Sequence, residues 1–241
     1  IPVITGDPEA AWVAETAKKP VKRGTLDTKI MQPYTLAVIV PFSNQFRRDV
    51  PALYKQLVSR LPLALAQKFD ATVFGGVTAP GDNFDTLKTC TAQEIGTDAY
   101  AGLVAADADI ADHNGILNGW VLSPKGKALL LNAVDGNKRP LFINNVAEGA
   151  VPMILGSRTL QSKGAYVSGT PNVVGFAGDW TQAMYGTVEG VQIAIADQAT
   201  LQDGETTINL FQQNMFAVRA EIEVGFRCDT TVFNKLTKAA G

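Results

Sequence analysis

Histidine is almost missing from this chain, with His113 as its single example. Most hydrolase triads need histidine as a base and most zinc sites need it as a ligand, so the sequence argues against both. A phosphate-binding loop is missing too, because Gly126-Lys127 is followed by Ala128 and no glycine-rich loop precedes it. We interpret His113 as a helix-capping or surface residue, and the sequence predicts no enzyme, no metal site and no cofactor.

Cysteine and long apolar runs are also scarce. Cys90 and Cys228 are too few for a disulfide framework and lack metal-ligand spacing, so we expect two small buried side chains and a reducing compartment. No apolar run reaches the ~18 residues that span a bilayer, which predicts no membrane partner. The chain starts at Ile1 and not at methionine, so we expect further sequence upstream.

Charge is sparse and nearly balanced. Charged residues make up 18% of the chain, hydrophobic residues 46%, and the net charge is −2. This composition is typical of a folded globular protein and argues against a dedicated nucleic-acid binder, whose affinity comes from a basic face. Contact with nucleic acid would be weak and local.

One basic segment, Thr16 to Tyr34, stands out from this balance. It carries a net charge of +4, which leaves −6 for the rest of the chain. The segment has no apolar face at helical or strand period, so it has no core of its own. Its charge favours docking onto another copy, although a solvated loop is the alternative reading. The candidate contact residues are its cations, Lys18, Lys19, Lys22, Arg23 and Lys29.

A strand and a long helix follow this segment. Tyr34 to Pro41 is rich in β-branched residues and predicts the strand. The helix is expected over Pro51 to Phe69, with Asp49 as N-cap and a kink at Pro62. Its predicted apolar stripe recurs every fourth residue at Leu53, Leu57, Leu61, Leu65 and Phe69.

The remainder predicts mixed α and β structure without a regular strand-helix rhythm. A second helix is expected from Thr97, its cap, to Asn114-Gly115. Strands are expected at Gly190 to Ala196 and Met215 to Cys228, the second with Phe216, Val218, Ala220, Ile222 and Val224 facing inward and Ala217, Arg219, Glu221 and Glu223 facing water. The predicted apolar side of the second helix comprises Tyr100, Leu103, Val104, Ile110 and Ala111.

Several segments, read in order, resemble the major capsid proteins of tailed phages. They are AWVAE with KKP, YTLAVIVPFSNQFRRD, VLSP, GFAGDWTQAMYGTVEGVQIAIADQAT and NMFAVRAEIEVGFRCDTTVFNKL. The resemblance implies an α+β fold of the Hong Kong 97 type, with a peripheral domain built on a long spine helix, an axial domain and an extended β-hairpin loop. The implied division is a residual N-terminal arm at 1–9, the extended loop at 10–34, the peripheral domain at 35–92 with its spine helix at 51–69, the axial domain at 93–202, and the rest of the peripheral domain at 203–241.

Some members of this family join their subunits through lysine-asparagine isopeptide bonds assisted by a glutamate. Lys19 matches the linking lysine, Asn214 the acceptor and Glu221 the assisting acid. A shell held only by packing and charge is the alternative, in which Arg219 and Glu221 form a surface ion pair.

The function implied by the resemblance is structural. We expect a major capsid protein of a tailed double-stranded DNA phage or prophage, which assembles with itself into pentamers and hexamers of an icosahedral shell. The expected partners are other copies of the chain, a scaffolding segment or protein, a portal, and packaged DNA through weak non-specific contact. The protein would reside in the virion capsid after assembly in the host bacterial cytoplasm. An encapsulin-type bacterial compartment shell is the alternative within the same fold.

Overall fold

The computed structural model describes residues 2–6, 25–28, 30–135, 137–142 and 153–238. Within these ranges the chain forms four α-helices and fourteen strands. The helices are α1 (Asn44–Asp49), α2 (Pro51–Val73), α3 (Ala99–Asp112) and α4 (Pro124–Leu131). The strands are β1 (Pro2–Gly6), β2 (Thr25–Thr28), β3 (Tyr34–Ser43), β4 (Thr91–Glu94), β5 (Gly119–Leu122), β6 (Met153–Ile154), β7 (Ser157–Gln161), β8 (Asn172–Gly178), β9 (Ala183–Thr187), β10 (Gln192–Ala196), β11 (Thr200–Asp203), β12 (Thr206–Asn209), β13 (Met215–Cys228) and β14 (Phe233–Lys238).

The larger sheet has six strands in the order β4-β14-β8-β5-β7-β6. Its β14–β4 and β5–β7 pairs are parallel and the others antiparallel. Helices α3 and α4 pack on it around the fully buried Trp120, whose Nε1 donates to the Ile154 carbonyl at 2.9 Å. The indole thus has a partner for its polar atom, which burial of tryptophan requires.

Close packing explains two glycines of β8. A Cβ on Gly178 would collide with the ring of Phe233 on β14, and a Cβ on Gly175 would lie 2.8 Å from Leu122 Cδ2. Neighbouring strands therefore fill the space that side chains would occupy at these two positions.

The second sheet is built around the 14-residue strand β13. Along β13, β3 pairs with Met215 to Val224 on one side, while β10 and then β9 pair on the other. Helix α2 covers one face, where Leu61 and Leu65 pack against Phe216, Val218 and Ala220. The predicted bounds of β13 are confirmed.

The predicted alternation along β13 holds in part, because Ile222, expected inside, and Glu221, expected in water, are both half-buried. Phe216, Val218 and Ala220 are buried, and Arg219 and Glu223 are exposed. Ala217 was expected to face water but is only 4% exposed. Its cross-strand neighbours are Pro41 and Ala196, and they shield its small side chain from both sides.

Helix α2 corrects three sequence predictions. It starts at Pro51 as expected but continues to Val73, and its N-cap is Val50, because Asp49 already ends the short helix α1. Of the predicted stripe, Leu61 and Leu65 are buried while Leu53 is 43% and Leu57 37% exposed. A four-residue spacing drifts by roughly 40° per step on a helix of 3.6 residues per turn, so the stripe leaves the contact face. Tyr54 and Val58 pack there instead.

Helix α3 begins one residue later than predicted. Its N-cap is Asp98, not Thr97, because the Asp98 side chain accepts the Ala101 backbone N–H at 3.0 Å. Leu103 and Ile110 are buried as expected, but Tyr100 is 54% and Val104 40% exposed, and Ala111 is exposed as well. The small residues Ala99, Gly102 and Ala106 occupy the contact face, because they allow the helix to approach β4 and β14 closely. His113 is the C-cap, which confirms its predicted capping role.

Two separate hairpins complete the described structure: β1 pairs with β2, and β11 pairs with β12. Cys90 and Cys228 are both buried, as predicted. None of the helices in the described ranges is long and apolar enough to cross a membrane.

Candidate functional site

The predicted basic contact residues Lys18, Lys19, Lys22, Arg23 and Lys29 lie outside the described residues. The structure does describe strands on either side of most of them. Pro2–Gly6 pairs antiparallel with Thr25–Thr28, so residues 7–24 connect the two strands of one hairpin.

Asn214 lies at the turn that leads into β13 and is exposed. Its backbone is in the left-handed region at φ 51°, a conformation that asparagine adopts more readily than most residues. The Asn44 side chain donates to Asn214 Oδ1 at 2.9 Å, and the Asn44 backbone N–H donates to the Asn214 carbonyl at 3.1 Å. The turn thus holds the carboxamide at the surface in a fixed orientation.

Glu221 lies in the middle of β13, where its cross-strand neighbours are Ala37 and Gln192. Its Oε1 is 2.9 Å from Arg219 Nη2. Residues two apart on a strand point to the same face, so this pair lies on the face opposite α2. The structure therefore contains the Arg219–Glu221 surface ion pair that the sequence analysis gave as the alternative to cross-linking.

Asn214 and Glu221 do not meet within one subunit. They are seven residues apart along an extended chain, which corresponds to roughly 23 Å at the usual rise per strand residue. A proton relay requires hydrogen-bond contact, so the glutamate of one copy is too far from its own asparagine to assist there.

The sequence analysis missed a solvent-exposed apolar surface along β9 and β10. All five residues of β10 are exposed, including Ile193 at 49% and Ile195 at 59%. Nearby large apolar side chains are exposed as well: Met184, Tyr185, Val188 and Val191. The available signal was GVQIAIA, an almost continuous apolar run in a strand that lies at the edge of its sheet.

The same part of the chain is strongly acidic. No lysine, arginine or histidine occurs between Lys163 and Arg219. The acidic residues in this interval are Asp179, Glu189, Asp197, Asp203 and Glu205. All except Asp179 are exposed, so they give this surface a negative potential.

Two buried ionisable groups, Asp179 and Cys90, have pKa values shifted by burial and by their neighbours. Burial raises the pKa of the Asp179 carboxyl, but hydrogen bonds from Thr181, Ile116 and Asn118 outweigh it and hold that pKa below its ordinary value. Burial also raises the pKa of the Cys90 thiol to about 12, against the opposing charge of Lys235. Among the described residues no three His, Cys, Asp or Glu side chains are grouped so that they could hold a metal ion.

The two sheets, the long helix α2 and the two separate hairpins form an α+β fold of the Hong Kong 97 type. A chain from Gordonia phage Cozz matches 100% of this chain over 81% of its own, with a TM-score of 0.81 and 19% identity. A chain from Mycobacterium phage Bobi also gives a TM-score of 0.81, at 20% identity, with coverage of 100% and 85%. The α+β fold expected from the sequence is therefore confirmed.

Sequence comparison defines the family. The model of the phage capsid family matches residues 1–230. The probable major capsid protein of Mycobacterium phage L5 is 32% identical over 260 aligned residues, which cover 98% of this chain and 78% of the relative. The chain belongs to the phage capsid family, and its role is that of a tailed-phage major capsid protein.

Proposed function

We propose that copies of this chain assemble into pentamers and hexamers of an icosahedral shell that encloses a double-stranded DNA genome. The observation that carries the proposal is the exposed apolar surface of β9 and β10. Exposed apolar surface of this extent usually marks an interface, and in a capsid protein the expected partner is another copy of the same chain.

Electron microscopy and light scattering of the purified chain test this proposal. Rings or closed shells are expected as concentration and salt are varied, since each subunit would contribute several weak interfaces. A compact monomer under all of these conditions would contradict it. Mass analysis of particles from the native source separates the two kinds of shell: packaged DNA and a portal support the virus, whereas uniform enzyme cargo supports an encapsulin.

The remaining partners follow from the shell proposal. A scaffolding segment or protein and a portal would act during assembly in the host cytoplasm, and the finished subunit would reside in the virion. DNA contact would be weak and non-specific, because the net charge of −2 gives little attraction for phosphate.

The domain division also remains a proposal. It assigns 1–9 to an N-terminal arm, 10–34 to the extended loop, 35–92 and 203–241 to the peripheral domain, and 93–202 to the axial domain. In support, α2, β3 and β13 share one core, whereas α3, α4 and β5 share another. Strands β9 and β10 depart from this division, because they lie within 93–202 yet pair with β13. Strand β14 would link the two domains, because it follows β13 and pairs with β4 and β8.

Self-cross-linking would need at least two copies, because Asn214 and Glu221 would have to come from different ones. Lys19 would attack the Asn214 carboxamide carbon and form an isopeptide bond, ammonia would leave, and Glu221 of another copy would accept and return protons. The separation of Asn214 and Glu221 along β13 supports this requirement for different copies.

A boiled denaturing gel of assembled particles tests the cross-link. Covalent ladders are expected from the unaltered chain and should be lost in Lys19→Arg and Asn214→Ala. Lys18→Arg is the matched control and should leave the ladders intact. Mature particles that run only as monomers would end the cross-link proposal and leave the shell proposal standing.

A further inference from the structure

The two edges of the six-stranded sheet differ in charge and in shape. Strand β4 lies at one edge, the β4 edge, and β6 lies at the other. Because β6 has two residues, most of β7 also lies at that side, which we call the β6–β7 edge. Five spacings between neighbouring strands separate the two edges, which corresponds to roughly 24 Å. Each edge can therefore contact a different neighbour.

The β4 edge is acidic. No lysine or arginine occurs between Lys88 and Lys125, a stretch that contains β4 and helix α3. All of its acids except the half-buried Asp109 are exposed, and together they give this edge a negative potential. The acids are Glu94, Asp98, Asp107, Asp109 and Asp112.

A cleft of about 700 Å³ opens where β4 ends and α3 begins. The apolar part of its lining includes three large side chains that are about half exposed: Tyr100, Val134 and Leu141. Its charged lining residues are Asp98, Asp135 and Lys238, so acids outnumber cations. The cleft is therefore suited to an apolar side chain that has a cation beside it.

The β6–β7 edge carries such a combination of side chains. Met153 is 56% and Leu160 65% exposed. Arg158 is opposite Met153 and two residues from Leu160, so these three side chains point to the same face. No acid occurs in residues 149–178, which include the exposed cations Arg158 and Lys163. This edge is therefore apolar and basic.

Like charges disfavour contact between two identical edges. Two β4 edges would bring acids together, and two β6–β7 edges would bring Arg158 and Lys163 of both copies together. Contact between unlike edges pairs opposite charges instead. Such a contact joins two different surfaces of the same chain head to tail, and its repetition around an axis closes a ring.

We propose that the β6–β7 edge of one copy docks against the β4 edge of the next copy, with Leu160 inside the cleft and Arg158 facing its acids. The inference rests on the proposed assembly and names the two surfaces that join neighbours within one ring. Burial of Leu160 and Met153 would supply affinity, because both side chains are exposed in the single subunit. The charges would fix the direction in which the copies follow one another.

A double-mutant cycle in the full-length chain tests the charge pairing. Arg158→Gln with Lys163→Gln should raise the concentration for half-maximal assembly by about tenfold. Glu94→Gln with Asp98→Asn should do the same, and these changes keep the side-chain oxygens that accept the Gly96 and Ala101 backbone N–H groups. Combining both pairs should add little further loss, because each charge has already lost its partner.

The control removes the same negative charge from the other sheet. Glu189→Gln with Asp197→Asn changes two exposed acids beside β10. Any effect of this pair should combine independently with that of the Arg158 and Lys163 changes. If the β4-edge changes also combine independently with them, the two edges do not meet and the inference is wrong.

The apolar contact is tested by Leu160→Ala. Thermal unfolding of the subunit should be unchanged, because the side chain is mostly exposed, while assembly should weaken by about tenfold. Leu63→Ala makes the same change at a position on α2 that is 56% exposed, and should leave assembly within about twofold. Circular dichroism checks that the variants fold, and the charge cycle provides the independent test if Leu160→Ala does not.

A photoreactive residue at position 160 in assembled particles identifies what covers this edge. Mass spectrometry should find it joined to residues 95–100 or 129–135, and isotope-mixed particles should show that the two peptides come from different copies. Attachment to another part of the chain, to the same copy or to DNA would overturn the inference. If the unaltered chain assembles and the variants of both edges assemble equally well, only this inference fails. If the unaltered chain does not assemble, the proposed function itself fails.

Discussion

The two sheets of this protein differ in how completely they are covered. The six-stranded sheet has α3 and α4 packed on it, and its residues Trp120, Leu122 and Phe176 are almost fully buried. Among the residues that the structure describes, the four-stranded sheet has a helix, α2, on one face only, and its strand β10 is exposed along its whole length. The first region therefore encloses a core of its own and exposes large apolar side chains mainly at its β6–β7 edge, at Met153 and Leu160, whereas the second exposes every residue of β10. Substitutions at the covered and at the open positions of the two regions should separate folding from assembly.

The largest effect is expected from Trp120→Ala. The indole is 0% exposed and donates to the Ile154 carbonyl, so its removal leaves a cavity and an unpaired acceptor. The free energy of unfolding should fall by about 3–5 kcal/mol. Urea unfolding of the unassembled subunit measures this, and a loss below about 1 kcal/mol would show that the site collapses around the gap.

Two phenylalanines, one on β13 and one in the turn before it, compare a covered position with an open one. Phe216 is 1% exposed beneath α2, whereas Phe211, five residues earlier, is 77% exposed. Phe216→Ala should cost about 3 kcal/mol of stability, and Phe211→Ala should stay within about 0.5 kcal/mol. Similar losses for both would mean that the division between a covered and an open surface is wrong.

A smaller effect is expected where β13 contacts the loop before β4. Arg227 Nη1 lies 3.1 Å from Asp85 Oδ1, and the Cys228 backbone N–H donates to Asp85 Oδ2. Asp85→Ala should destabilise the subunit by about 2 kcal/mol, because both donors lose a partly buried acceptor. The exposed pair Arg48–Asp49 is the control, and Asp49→Ala should change stability by less than about 0.5 kcal/mol.

The smallest effect depends on pH and concerns Asp179, which is 6% exposed. Its native pKa is held below the ordinary value, so the carboxylate stabilises the fold above the ordinary pKa of about 3.9 and this contribution is lost as pH falls through the native pKa. Asp179→Asn should cost about 1 kcal/mol at neutral pH and progressively less in acid. Unfolding curves between neutral and acidic pH measure the trend. A cost that does not shrink in acid would contradict the assigned role of the carboxylate.

Local signals were enough to predict much of the fold. The β-branched run at Tyr34 and the alternation from Met215 to Cys228 located the two long paired strands, and Pro51 located the start of α2. The errors came from neighbours distant in sequence. Leu53 and Tyr100 are apolar and helical, yet which helix face is buried depends on where the sheet lies, and no local spacing records that.

The candidate site was harder to predict from the sequence than the fold was. Asn214 and Glu221 were found only through family resemblance, since their residue types and spacing are common. The apolar edge at Ile193 and Ile195 was predicted as a strand, but its exposure depends on α2 stopping short of β10. The sequence of one strand does not record whether a helix from elsewhere in the chain covers it.

Helix α2 connects the two sheets mechanically, because its two ends contact different sheets. Its 23 residues form one rod of roughly 35 Å, with Tyr54 and Leu65 seated on the four-stranded sheet and Asp70 bonded to Ser162 beside the six-stranded one. A tilt imposed at one end therefore displaces the other. Pro62 near mid-length lacks the amide hydrogen that would tie it to the preceding turn, so the rod should bend there first when neighbours press on the subunit.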